Sequence, residues 1–105
     1  MTNVKEVIDH ATIDLTTKIF KLLGDATRFR ILYLLEDKEW NVNAIAVELD
    51  MEQSAVSHQL KKLKEAQLVK SRRSGKNILY SQDDKHVYEI LHMAVAHAKH
   101  SHTDE

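Results

Sequence analysis

Apolar residues recur at helical spacing along most of the chain. Val4, Val7, Ile8, Ala11, Leu15 and Ile19 predict a first helix. Leu22-Leu23-Gly24-Asp25 reads as a break, with Gly24 as a stop and Asp25 as the next N-cap. The run Ala26 to Leu35 carries Phe29, Ile31, Leu32, Leu34 and Leu35 and predicts a buried second helix. A polar connection, Glu36 to Glu39, follows. Val42, Ile45, Ala46 and Leu49 predict a short third helix. After the link Asp50-Met51-Glu52, a fourth helix is expected from about Gln53 to Glu65, with Val56, Leu60 and Leu63 as its core stripe. Two short helices joined by about three residues form a helix-turn-helix candidate.

The pattern then changes. Leu68 to Arg73 and Ile78 to Ser81 are short and carry β-branched or aromatic residues, with Ser74-Gly75-Lys76-Asn77 between them. This predicts a β-hairpin with a four-residue tip, Gly75 supplying a positive φ. A last helix is expected from about Asp83 to Lys99. Its stripe of Val87, Ile90, Leu91, Ala94, Val95 and Ala98 is wide enough for a partner. Ser101 to Glu105 reads as a frayed polar tail. The order is that of a winged helix-turn-helix, mainly α with a small β-hairpin and flanking helices suited to homodimerisation.

Composition narrows this picture. A length of 105 residues fits one domain spanning 1–105. The absence of Cys excludes disulfides, thiolate metal sites and Cys nucleophiles. No apolar run approaches the ~20 residues of a membrane helix, and the first 20 residues do not form a signal peptide. A soluble cytoplasmic protein is expected. With two Gly and no nucleophile motif, an enzyme is not expected.

The formal charge of −1 argues at first against a nucleic-acid partner. Its distribution reverses that. From His58 to Lys76 seven Lys and Arg stand against Glu65 alone, a net +6, so the remainder carries −7. The positive part falls on the expected recognition helix and wing, the elements such a fold lays on the major groove and phosphates. Ser54, Ser57, His58 and Lys61 form the stripe opposite the core. Gln53, Ser54, Ser57 and His58 are candidates for base edges or phosphates, and Lys61, Lys64, Arg72, Arg73 and Lys76 for phosphates.

Residues 23–35, Leu-Gly-Asp-Ala-Thr-Arg-Phe-Arg-Ile-Leu-Tyr-Leu-Leu, resemble the signature of the ArsR/SmtB repressors, and Gln53 to Leu63 resembles their recognition helix. Ala26 stands where that family often has Pro. Glu52 stands where many members have a Ser cap, which implies a less well capped helix. Many members hold metals through Cys on the third helix; positions 41–46 here are Asn-Val-Asn-Ala-Ile-Ala and lack that site.

The histidines offer another. His97 and His100 are three apart and share a helix face. His86 lies eleven residues before His97, roughly 16 Å along a helix, far beyond one ion's reach. In an antiparallel helix pair the arrangement closes. His86 with His97, and Asp84 with His100, are placed symmetrically about the same point, near Leu91 and His92. Asp84 and His86 of one chain would meet His97 and His100 of the partner subunit, giving two equivalent sites. Three imidazoles and a carboxylate suit tetrahedral Zn(II), or Co(II) as an analogue. Such a site has no open position for a water nucleophile. The pattern also resembles the last-helix site of the zinc-responsive, CzrA-type branch. His102 is a candidate extra ligand for an octahedral metal such as Ni(II). His92 is expected at the interface or surface, His10 on a helix surface, and Met93 in core or interface. Trp40 is expected as a packing aromatic.

What the resemblance implies is a metal-free dimer bound to an imperfect inverted-repeat operator and released by zinc, controlling a metal exporter. It also implies that His97 hydrogen-bonds a backbone carbonyl near Gln67. A nickel or cobalt sensor, and a repressor of this fold that senses no metal, remain alternatives. A zinc buffer without DNA is disfavoured by the +6 segment.

Overall fold

The computed structural model describes residues 7–103, and side chains through 101. Helix α1 spans His10–Leu23, α2 Ala26–Leu34, α3 Val42–Leu49, α4 Gln53–Glu65 and α5 Lys85–Thr103. Strands β1 (Trp40–Asn41), β2 (Val69–Ser74) and β3 (Asn77–Gln82) form an antiparallel sheet in the order β1-β3-β2. This is a winged helix-turn-helix.

Helix starts follow local capping chemistry. The Asp9, Asp25 and Asn41 side chains accept the N–H of Thr12, Arg28 and Ala44 at 2.8, 3.0 and 2.7 Å. Glu52, the N-cap of α4, makes no side-chain cap bond, as its residue type predicts. Asp50 closes α3 in the left-handed region at φ 55° and turns the chain toward α4.

The core lies between α2, α3, α4, the base of the wing and the first half of α5. Ile31, Leu32, Ile45, Val56, Leu60 and Leu63 are fully buried, and Val87, Tyr88 and Leu91 close the core from α5. By contrast α1 buries no residue completely. The radius of gyration is 16.3 Å, against about 13 Å for a compact chain of this length. The terminal helices therefore extend from the core.

Several expectations are corrected. The first helix begins at His10, not near Val4. Val7 and Ile8 continue the apolar spacing, but the Asp9 cap fixes the start after them; Val4 lies outside the described residues. Gly24 does end α1, as expected, with right-handed backbone at φ −79°. The hairpin loop is two residues, Gly75-Lys76, because Ser74 and Asn77 still pair. Gly75 takes φ +63°, the first central position of a turn that twists with its strands. The expected hairpin has a third strand, since Trp40 and Asn41 pair with Tyr80 and Leu79. Finally, α5 continues through Ser101 to Thr103, because no Gly or Pro interrupts it; positions 104–105 lie outside the described residues.

Candidate nucleic-acid interface and metal site

Helix α4 presents two faces of opposite character. Val56, Leu60 and Leu63 anchor it, and Gln53, Ser54, Ser57, His58, Lys61 and Lys64 are exposed. Arg28 fixes its position. The guanidinium Nε donates to the Leu22 carbonyl at 3.0 Å, and Nη1 to Gln59 Oε1 at 3.2 Å, tying α1, α2 and α4 together. Gln53 Nε2 donates to Asn43 Oδ1 at 2.8 Å, which joins the first residue of α4 to α3. Lys64 Nζ donates to Ser71 Oγ at 2.7 Å, which joins the end of α4 to the wing.

Arg73 and Lys76 are exposed on the wing. Arg72 is also exposed, but its guanidinium is engaged by Glu39 in two hydrogen bonds of 2.7 Å. Those bonds hold the Glu39 carboxyl below the ordinary glutamate range and stabilise the charged guanidinium. Glu39 reads in the sequence as part of a polar connection; its partner lies 33 residues away. Trp40 packs half-buried beside it, with Lys38 Nζ 4.7 Å from the ring centroid.

Asp84 lies just before α5 and His86 is that helix's second residue. Asp84 Oδ1 accepts the His86 backbone N–H at 2.8 Å and lies 2.8 Å from His86 Nδ1. The backbone bond, with that of the ring, lowers the Asp84 carboxyl below the ordinary aspartate value. Gln67 lines the same groove as Asp84 and His86. It follows α4 and adopts φ 62°.

His97 and His100 lie on the far half of α5, also exposed. One chain does not bring them to Asp84 and His86: among the described residues no three His, Asp or Glu side chains gather for a metal. The remaining histidines are placed otherwise. His92 contacts the Glu36 carboxylate and tilts against Tyr33 at 6.0 Å between centroids. His10 is exposed at the start of α1. His102 lies within α5, and its side chain is outside the described residues. Tyr88, on the core side of α5, has a buried hydroxyl without a partner. Burial raises its pKa, with Glu36 and Asp83 adding to the shift.

The seam between these sites is regular. His86, Ile90, Met93, His97 and His100 are all exposed and recur at alternating spacings of four and three, the interval of helices that pair along their length. Met93 is 72% exposed, and on α1 Leu15 and Phe20 are 65% and 54% exposed.

Fold and basic face together define a winged-helix DNA-binding regulator. Residues 25–71 match the arsR family of bacterial regulatory proteins. The chain is 38% identical over 87 residues to the HTH-type transcriptional regulator KmtR of Mycobacterium tuberculosis, covering 83% of this chain and 67% of that one. Among solved structures, the AntR antimony-specific transcriptional repressor superposes with a TM-score of 0.83 at 27% identity, covering 94% and 90% of the two chains. A homodimeric winged helix-turn-helix DNA-binding domain from Mycobacterium bovis gives a TM-score of 0.83 at 28% identity, covering 90% and 88%. The chain belongs to the arsR family, and is a transcriptional regulator rather than an enzyme. No helix among the described residues is long and apolar enough to cross a membrane.

Proposed function

We propose that this chain is a cytoplasmic, homodimeric, metal-responsive repressor whose operator-bound form is metal-free. The observation that carries this reading is the α5 seam: ligand-type side chains occupy both ends of an exposed helical stripe with apolar Ile90 and Met93 between them. Antiparallel pairing buries the apolar middle and brings the two ends together.

Asp84 and His86 of one protomer would then hold a metal with His97 and His100 of the partner subunit. The donor set fits. Asp84 and His86 already stand side by side, with Oδ1 2.8 Å from Nδ1; as ligands of one ion they would exchange that mutual contact for the metal. Three imidazoles and a carboxylate favour Zn(II), with Co(II) as an analogue. Held by these residues, the ion would cross-link the two last helices. Relatedness to an antimony-specific repressor supports an inorganic effector in general.

Gln53, Ser54, Ser57, His58, Lys61 and Lys64 of each protomer enter successive major grooves of an imperfect inverted repeat, and Arg73 and Lys76 meet flanking phosphates. Gln67 supports a route between the two sites, because it stands at the end of α4 and in the groove of Asp84 and His86. Geometry imposed on α5 thereby biases the spacing of the reading helices, and metal and operator disfavour each other reciprocally. By family resemblance the regulated gene encodes a metal exporter.

Titration of the dimer with Zn(II) tests the assignment. The expected stoichiometry is one ion per protomer, lost in His97→Ala. Unchanged tight binding in that variant refutes the ligand set, and no binding by the unaltered chain favours a regulator that senses no metal.

A further inference from the structure

The sheet register separates the wing's basic residues into two faces. Side chains alternate along a strand, and paired residues on neighbouring strands share a face. Ser71 pairs with Tyr80 and Arg73 with Ile78, and Ser71 touches Lys64 of the recognition helix. Arg73 therefore shares the face that contacts α4. Lys70 pairs with Ser81 and Arg72 with Leu79, on the opposite face. The same alternation puts Glu39, which precedes Trp40 and its partner Tyr80, on the face of Lys70 and Arg72. The two hydrogen bonds from Arg72 to Glu39 span the sheet from β2 across β3 to the entrance of β1. Strand β1 is two residues long and runs directly into α3.

We propose that Arg72 is a positioning residue: with Glu39 it braces the wing against the helix-turn-helix, leaving the wing's phosphate contacts to Arg73 and Lys76. Beyond its buried base at Leu68 and Val69 and the Lys64–Ser71 bond, the outer hairpin is steadied on the β1 side by a two-residue strand only, which leaves it room to tilt. The paired, planar hydrogen bonds of a guanidinium and a carboxylate restrict that tilt. The exposed surroundings keep the brace modest, so its effect is on wing orientation. The proposal rests on the DNA-binding reading for its purpose, although the brace is measurable without DNA.

The test uses a labelled duplex selected by this chain from a random library, with anisotropy recorded across KCl concentrations. Arg73→Gln and Lys76→Gln are expected to lower the salt slope by about one each. Arg72→Gln and Glu39→Gln leave the slope unchanged and weaken binding alike, by about two- to fivefold. The double variant is no weaker than either single one. In the free protein, amide exchange across β2 and β3 speeds up equally in both single variants. Arg72→Gln lowering the slope by one, with Glu39→Gln tightening binding, overturns the brace and makes Arg72 a phosphate contact masked by Glu39. If the unaltered chain retains no duplex, the DNA-binding reading fails. The brace then stands on faster amide exchange in both variants and falls if exchange is unchanged.

Discussion

The reading head and the terminal helices of this chain are built on different terms. The head, α2 through the wing, has its core within one chain: Ile31, Leu32, Ile45, Val56, Leu60 and Leu63 are fully buried, with Val87, Tyr88 and Leu91 at the start of α5 closing it. Side-chain bonds such as Arg28 to Gln59 and Lys64 to Ser71 tie its elements together. The terminal helices leave large apolar side chains open, Leu15 and Phe20 on α1 and Ile90 and Met93 on α5. The candidate metal ligands belong to this second region. The contrast teaches that the basic face rests on a core formed within one chain, whereas the proposed metal site would form only where two chains meet. Under the proposed function, regulation would act on the spacing between two heads while each head keeps its internal structure.

Perturbing the two regions separately should break this contrast in opposite ways. The largest expected effect is in the head. Leu60→Ala removes a fully buried side chain and should lower the unfolding free energy by about 2–5 kcal/mol, measured by urea denaturation at fixed protein concentration. A smaller effect, confined to assembly, is expected from Met93→Glu. A charge placed on the α5 seam should weaken dimerisation about tenfold or more, read by sedimentation, with the helical circular dichroism per residue retained. Loss of the folded head in that variant would contradict the division.

The smallest effect concerns the start of α1. Hydrogen bonding to Thr12, through its side chain and backbone, holds the Asp9 carboxyl below the ordinary aspartate value. A lowered folded value means that the cap's contribution is present above the unfolded pKa and is lost as pH falls through the folded one. The Thr12 amide should stay protected down to about pH 4 and lose protection below that. Amide exchange across pH checks this, and loss of protection already near pH 6 would remove Asp9 as the cause.

Much of the head was legible in the sequence for the same reason that it is self-contained. The stripe Val56, Leu60, Leu63 answers to burial within one chain, so periodicity delimits α4 at Gln53 and Glu65. Strand β1 was not legible, because two residues carry no period, and Trp40 pairs with a strand forty residues away. The start of α1 was misread where apolar spacing at Val7 and Ile8 competes with capping by Asp9. The end of α5 is hidden by the polar composition of its last turn, which does not stop a helix that meets no Gly or Pro. In the candidate sites, spacing along the chain suggests which residues belong together, since His86, His97 and His100 lie on α5 and Asp84 immediately precedes it. Glu39 was missed because its role depends on a contact with Arg72 across the sheet. Strand alternation at 70–73 was the one signal that could have separated Arg72 from Arg73.

The central claim is that the α5 seam couples metal to DNA. Its most direct test is fluorescence anisotropy of a duplex selected by this chain, titrated with the unaltered protein and with His97→Ala, each with and without Zn(II). The account predicts that zinc weakens DNA binding by the unaltered chain at least tenfold, about 1.4 kcal/mol of coupling. His97→Ala should bind the duplex equally well in both conditions. Zinc-insensitive DNA binding by the unaltered chain, or a full zinc response in His97→Ala, would contradict it.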